Sequence, residues 1–160
     1  MATPQFSIDT SCLVNAWNRT YQIEILPSIW EHIEAIVRDE IAVVTMQVFD
    51  EIKRKDDALA EWCDERKDMF LPIDENHIKH LQAIMERYPR IASAGSGRNF
   101  ADPWVMALAQ CYDPPCCVVT EEGLSRNANN PKIPFVCESE GLTHCTFNRM
   151  LRDTGWSERR

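Results

Sequence analysis

The sequence predicts an α/β protein, a three-layer α/β/α domain in which helices cover both faces of a short central parallel sheet. Two patterns predict this fold class. Short apolar segments that are typical of buried strands recur along the chain, and longer segments with amphipathic helical spacing separate them. The length of 160 residues suits one domain, so residues 1–160 are expected to form a single unit.

Four segments are strand candidates: FSI near the N-terminus, MFLPI in the middle, and CCVVT and PFVC in the last third of the chain. Each is short and apolar, as expected for a strand that is buried on both faces. Because ligands gather beyond the carboxyl ends of parallel strands, the residues that follow FSI and CCVVT are candidates for a shared site.

Helices are expected between these strands. DTSCLVNAW begins with three residue types that cap helices well, and PSIWEHIEAIVRDE has Pro27 near its start. VTMQVFDEIKR should be capped near Thr45, and DDALAEWCDER should form the next helix.

The second half of the chain adds further helical patterns. NHIKHLQAIMERY should bury Ile78, Leu81, Ile84 and Met85. NFADPWVMALAQCY follows the flexible loop ASAGSG. THCTFNRMLRDTGW is interpreted as a final helix or an irregular cap.

Charge and hydropathy limit the classes of function. The formal net charge of −8 argues against a large nonspecific nucleic-acid surface, but bound cations would neutralise part of it, so a nuclease is not excluded. The sequence shows no membrane-spanning run and no signal peptide, so a cytoplasmic protein without a membrane partner is expected.

The seven cysteines are expected to be reduced and mostly buried. Their number is odd, and Cys116 and Cys117 are adjacent, which is poor geometry for an ordinary disulfide. A zinc site is the alternative, but the segment from Cys111 to Cys145 lacks the paired C-x-x-C spacing of zinc knuckles.

Isolated acidic residues stand where apolar segments end or helices begin. Asp9 follows FSI, Asp102 opens DPWVMALAQC, and Glu121 and Glu122 follow CCVVT. Each has an ordinary alternative: Asp9 and Asp102 also suit helix caps, and the two glutamates also suit a solvated turn. Asp102 shares a helical stripe with Val105, Met106 and Ala109, which favours an inward carboxylate.

Glu51 is the acid whose position is most open to a second interpretation. It lies on the shoulder of the apolar face formed by Val48, Phe49 and Ile52. A solvated pairing with Lys55, four residues on, is the alternative to a functional role.

The order of these acids resembles that of the PIN-domain nucleases. The resemblance extends through FSIDTSCLV, VFDEIKR, FADPWVMALA and VVTEEG, and therefore over most of the chain. The lengthened middle looks like PIN-like proteins of bacterial toxin genes rather than the shortest VapC-type toxins. The resemblance implies metal-ligand and catalytic roles for Asp9, Glu51, Asp102 and Glu122, with Glu121 as the alternative fourth acid.

The implied activity is that of an Mg²⁺- or Mn²⁺-dependent endoribonuclease, the toxin of a toxin-antitoxin pair. The candidate partners are an RNA substrate, a cognate antitoxin protein and a second copy of the chain. The residues expected to contact substrate are Thr10, Ser11 and Thr120 beside the acids, and Arg98 and Asn99 in the loop before Asp102. A solvated loop pair is the alternative for Arg98 and Asn99.

Two other functional classes remain open. Aspartyl-phosphate chemistry would require Asp-x-Asp after the first strand, and the chain has Asp9-Thr10-Ser11, so this alternative is weak. A catalytically inactive protein- or RNA-binding module would keep the fold and use the acids as caps and surface charges. Metal binding discriminates between the module and the nuclease.

Overall fold

The computed structural model describes residues 3–91, 100–123 and 131–157, and it confirms the predicted fold class. Five strands form one sheet in the order β3-β2-β1-β4-β5, and every neighbouring pair is parallel. The strands are β1 (Phe6–Ile8), β2 (Ala42–Thr45), β3 (Phe70–Leu71), β4 (Cys117–Val119) and β5 (His144–Cys145).

Helices connect successive strands, as parallel pairing requires. The α-helices of the described residues are α1 (Thr10–Asn15), α2 (Pro27–Arg38), α3 (Met46–Lys53), α4 (Ala58–Asp64), α5 (Glu75–Arg87), α6 (Asp102–Gln110), α7 (Ile133–Glu140) and α8 (Phe147–Asp153). A π-helical segment (Ala16–Thr20) extends α1, and a 3₁₀ turn (Lys67–Met69) precedes β3. In the part of the chain that the structure describes, no helix has the length and apolar character needed to cross a membrane.

The three central strands β2, β1 and β4 are largely buried because most of their residues are apolar. All residues of β1 and β2 are buried, and Ile8, Val44 and Val118 have no exposed surface. A strand that is covered on both faces requires helices above and below it. The three-layer arrangement therefore follows from the apolar strands.

The sequence assignment of PFVC as a strand is wrong, because these residues lie in α7. Ile133, Val136 and Cys137 are buried at spacings of three and four residues, which is the period of a helix rather than of a strand. Gly141 then ends the helix in the left-handed conformation, with a φ of 72°. β4 pairs with β1 on one side, and the strand on its other side is β5, which lies within the segment assigned to the last helix.

The prediction for the inward face of α5 is correct only in part. Ile84 is fully buried, and Leu81 and Met85 pack against the core, but Ile78 is 39% exposed. His77 takes the inward position instead. Its Nε2 lies 2.8 Å from the carbonyl oxygen of Trp104, so the imidazole links α5 to α6.

Helix α6 packs across β1, β2 and β4 and brings its first residue to the carboxyl edge of the sheet. A buried hydrogen bond holds it there, since Ser7 Oγ in β1 donates to the Val105 carbonyl over 2.8 Å. Asp102 begins this helix, and Asp9 directly follows β1. The hydrogen bond between Ser7 and Val105, which joins α6 to β1, therefore also brings Asp9 and Asp102 toward each other.

Candidate metal centre

The candidate site lies beyond the carboxyl ends of β1 and β4. These neighbouring strands are the point where the sheet order reverses, because β2 and β3 lie on one side of β1 while β4 and β5 lie on the other. The chain segments that follow β1 and β4 therefore lead away from each other and leave a crevice between them. Parallel α/β sheets bind ligands in such a crevice, beyond the carboxyl ends of the strands. Asp9 follows β1, and Thr120 to Glu122 follow β4.

Asp9 stands at the N-cap position of α1, but its carboxylate does not cap the helix. Oδ2 instead accepts hydrogen bonds from Ser11 Oγ (2.5 Å) and Thr120 Oγ1 (3.1 Å). Oδ1 is buried and has no hydrogen-bond partner among the described residues. A buried carboxylate oxygen without a partner is costly unless a cation or a proton binds it.

The surroundings of Asp9 make its proton affinity high. Burial raises the pKa of Asp9 to about 7, the hydroxyls of Ser11 and Thr120 oppose this rise, and the nearby charges of Glu122 and Glu51 add to it. Near neutral pH, the cluster therefore contains a carboxyl group that readily exchanges a proton for a cation.

Asp102 is the first residue of α6 rather than its cap, because Ala101 occupies the N-cap position. Asp102 is buried, with 3% of its surface exposed. Burial raises the pKa of Asp102 well above its usual range, and the charges of Asp9, Glu122 and Glu51 raise it further. The capping interpretation of this acid is therefore wrong, and the carboxylate faces the other acids.

The two adjacent glutamates after β4 have different positions. Glu121 Oε1 accepts a hydrogen bond of 2.9 Å from the Phe147 amide, so this carboxylate stabilises the start of α8. Glu122 Oε2 accepts one of 3.1 Å from the Ile133 amide at the start of α7. A carboxylate oxygen of Glu122 lies within 4.8 Å of one of Asp102, and Glu122 raises the pKa of Asp102. Glu122 rather than Glu121 joins the acid cluster.

The amide of Ile133 is a part of the site that sequence reasoning missed. It holds Glu122 in place, and it is available because it is one of the unpaired amides of the first turn of α7. Pro134 in the first turn and Gly141 at the end of α7 are the sequence signals for this helix, and the assignment of PFVC to a strand does not account for them.

Glu51 lies beside the cluster and is half-buried. Its Oε2 accepts a hydrogen bond of 3.0 Å from the Ala101 amide, immediately before Asp102. Burial raises the pKa of Glu51, while the Ala101 amide lowers it. The described contacts of Glu51 therefore direct it toward α6 rather than toward Lys55.

Three of the four predicted acids converge closely. Single carboxylate oxygens of Asp9, Asp102 and Glu122 lie within 4.8 Å of one another. Opposite ligands of one octahedral Mg²⁺ are roughly 4.2 Å apart, so small side-chain movements, or intervening waters, would allow these oxygens to hold one ion. Glu51 is not part of this group of three, but it influences both Asp9 and Asp102 electrostatically. The donor set, all carboxylate oxygens with one of them unpartnered, fits a hard divalent cation.

The five residues predicted to contact substrate differ in where the structure places them. Ser11 and Thr120 direct their hydroxyls to Asp9, and Thr10 is buried at the start of α1 beside Glu51. Arg98 and Asn99 lie outside the described residues. Contact with substrate remains a prediction for all five.

The cysteines are mainly core residues. Cys12, Cys63, Cys116 and Cys137 are buried, and all seven cysteines are free thiols. Cys117 and Cys145 lie on neighbouring strands, where the Cys145 thiol lowers the pKa of Cys117 to about 7 while burial opposes this change. Their redox state and metal content in the purified protein remain predictions.

Comparisons with known proteins identify the family of the chain but not its activity. Searches of curated proteins and of solved structures gave no significant match. One family model, described as a domain of unknown function (DUF4411), matches residues 6–158. The match covers almost the whole chain, which therefore belongs to the DUF4411 family.

Proposed function

We propose that the chain is a divalent-metal-dependent endoribonuclease that hydrolyses RNA phosphodiester bonds at the cluster of Asp9, Asp102 and Glu122, with Glu51 as a supporting acid. The observation that carries this proposal is the group of carboxylate oxygens, one each from Asp9, Asp102 and Glu122, that lie within 4.8 Å of one another. The buried Oδ1 of Asp9, which has no hydrogen-bond partner among the described residues, adds to it. Charges placed so closely repel each other, and a cation would remove that repulsion.

The residues of the chain have separate roles in this proposal. Asp9, Asp102 and Glu122 would hold the cation, and Ser11 and Thr120 would fix the orientation of the Asp9 carboxylate through their hydroxyls. The Ile133 amide would fix Glu122 in the same way. A bound Mg²⁺ or Mn²⁺ supplies Lewis-acid activation of water and charge stabilisation at the phosphodiester.

The biological setting is proposed from the resemblance to PIN-like toxins. In that setting the enzyme acts in the cytoplasm as the toxin of a toxin-antitoxin pair, and a cognate antitoxin protein or a second copy of the chain is its protein partner. The phosphodiesterase chemistry depends on the acid cluster and does not depend on this setting.

The test is cleavage of single-stranded RNA in Mn²⁺ and in EDTA, together with calorimetric measurement of Mn²⁺ binding. Wild-type protein should bind Mn²⁺ and cleave only in its presence, and Asp9→Asn should lose both properties. Asp56→Asn is the matched control, because Asp56 is exposed and its positive φ of 49° is one that Asn tolerates. Cleavage by folded Asp9→Asn at the wild-type rate would refute the proposal, and Mn²⁺ binding without cleavage would favour the inactive binding module.

A further inference from the structure

A groove of about 460 Å³ opens directly beside the acid cluster. Ser11 and Glu122 line the end nearest the cluster, where Ser11 donates to Asp9 and Glu122 approaches Asp102. Away from the cluster, the groove is lined by Asn15, Asn18, Arg19 and Lys55. It therefore leads from the exposed Asn18, Arg19 and Lys55 and the half-buried Asn15 to the buried carboxylates of Asp9 and Asp102.

The two cations of the groove come from separate parts of the chain. Arg19 belongs to the π-helical segment after α1, and Lys55 belongs to the turn after α3. Both are exposed, and neither forms an ion pair with any residue in the described ranges. Glu121 also lines the groove, but its Oε1 accepts a hydrogen bond from the Phe147 amide.

The π-helical segment accounts for the position of Asn18 and Arg19. Its other face is anchored, because Ala16 is buried and the Trp17 ring packs edge-on against Trp30 at 5.0 Å between centroids. With that face fixed, the wider turn leaves Asn18 and Arg19 exposed at the groove. Short π-helical turns occur frequently at functional sites, where they redirect side chains.

We propose that this groove binds the sugar-phosphate backbone of a single RNA strand next to the bond that is cleaved, with Arg19 and Lys55 contacting phosphate oxygens. The inference rests on the proposed nuclease function and names the residues that would guide its substrate. Cationic side chains that lack acidic partners are the usual phosphate ligands of proteins. Asn15 and Asn18 offer amide donors and acceptors, which suit the 2′-hydroxyl of RNA.

The burial of the acids explains why a single strand fits better than a duplex. Asp9 is 1% exposed and Asp102 is 3% exposed, so a phosphodiester must enter the crevice to approach them. A flexible strand can bend into the crevice from the groove. A double helix is stiff and presents its phosphates on a broad surface.

Fluorescence anisotropy with a labelled single-stranded RNA tests this inference separately from catalysis. Binding is measured in EDTA, which removes the divalent cations that the proposed cleavage requires, between 50 and 200 mM salt. Arg19→Gln and Lys55→Gln should each weaken binding about fivefold and reduce the slope of log Kd against log salt by about 0.7, the value for one lost phosphate contact on a single strand.

Matched controls remove a charge outside the groove. Lys79→Gln and Arg90→Gln each replace an exposed cation, and both should bind RNA like the wild type. In Mn²⁺, the groove variants should raise the KM for RNA cleavage while leaving kcat and Mn²⁺ affinity within about twofold of wild type.

The outcomes separate this inference from the proposed function. Groove-dependent RNA binding by a protein that does not cleave would support the groove and refute the nuclease. Cleavage that is equally efficient in the groove and control variants would support the nuclease and overturn the groove. Failure of wild-type protein to bind RNA at 50 mM salt would also overturn the groove.

Discussion

Thr120 Oγ1 donates a hydrogen bond of 3.1 Å to Asp9 Oδ2, joining residues that are 111 positions apart in the sequence. The contact crosses the point where the sheet order reverses, because Asp9 follows β1 and Thr120 follows β4. Thr120 Oγ1 also accepts a hydrogen bond from the Glu122 amide. One hydroxyl therefore fixes the orientation of Asp9 and the backbone that carries Glu122.

Ser11→Ala should shift the pH dependence of cation binding to higher pH. Ser11 donates a second hydrogen bond to Asp9 Oδ2, and this bond opposes the effect of burial on the pKa of Asp9. Without it the carboxylate is harder to ionise, so protons compete with Mn²⁺ over a wider range of pH. Calorimetric titration with Mn²⁺ at several values between pH 6 and 8 measures this shift. The pH at which Mn²⁺ binding is half lost should rise by about one unit in Ser11→Ala.

The control for Ser11→Ala is Ser139→Ala, which removes a hydroxyl that donates to the Phe135 carbonyl and also interacts with Tyr88. Its Mn²⁺ affinity should follow that of the wild type at every pH. Identical pH profiles for Ser11→Ala and wild type would show that Asp9 is not a cation ligand, or that its ionisation does not limit binding.

Metal-free protein should lose stability as the pH rises toward neutrality. Burial raises the pKa of Asp9 from 3.8 to about 7, so between these values the folded state holds a proton that the unfolded state has released. The contribution is complete below about pH 4 and is lost as the pH rises through 7. At 1.36 kcal/mol per pKa unit, the unfolding free energy should change by about 4 kcal/mol.

Thermal melting in EDTA at pH 5 and at pH 8 tests this linkage. The Tm of the wild type should fall from pH 5 to pH 8. The Tm of Asp9→Asn should fall less, because Asn does not titrate, although Asp102 and Glu51 still do and their pKa values are also raised. Added Mn²⁺ should restore the Tm of the wild type at pH 8 more than at pH 5. A wild-type Tm that rises from pH 5 to pH 8 in EDTA would contradict the assignment of a raised pKa to Asp9.

Exchanging each of the adjacent glutamates for Gln should identify the fourth acid. Glu122→Gln removes a charge next to Asp102 and should weaken Mn²⁺ binding at least about tenfold. Glu121→Gln keeps an amide oxygen that can accept the Phe147 hydrogen bond, so its Mn²⁺ affinity should stay within about twofold of wild type. The two variants have equal charge and differ by one position, so each controls for the other; a reversed result would place Glu121 in the site.

The sequence predicts the edge of the sheet where the acids meet, but not the detailed contacts among them. Asp9 and Thr120 could be placed because an apolar strand followed by a polar residue is a local pattern. The choice between Glu121 and Glu122 could not be made locally, because it depends on Phe147 and Ile133, whose amides approach from α8 and α7.

The shortest strands show a second limit. Strand β5 contains only His144 and Cys145, which is too short to show alternation between buried and exposed residues. The pairing of β5 with β4 depends on the path of α7, which precedes it in the chain. The apolar residues PFVC suggest a strand, but they lie in α7. The length of the segment, Pro134 in its first turn and Gly141 after its last turn are better indications of the helix α7.

Asp102→Asn should abolish Mn²⁺-dependent RNA cleavage and leave the fold intact. Ala101 rather than Asp102 occupies the N-cap position of α6, so the substitution leaves the cap residue unchanged. Asn has nearly the same size as Asp. It also removes a negative charge that is destabilised by the nearby charges of Asp9, Glu122 and Glu51. The metal-free variant should therefore melt within a few degrees of the wild type, while its cleavage rate falls by at least about 100-fold.

The matched control is Asp74→Asn, which changes an aspartate that does cap a helix. Asp74 Oδ1 accepts a hydrogen bond of 2.9 Å from the His77 amide at the start of α5, and Asn caps nearly as well. This variant should keep wild-type cleavage, so loss of activity only in Asp102→Asn would trace to the carboxylate at the site. Because both proteins are expected to remain folded, wild-type cleavage by Asp102→Asn would show that a charge at position 102 is not required, and the proposed metal centre would be wrong.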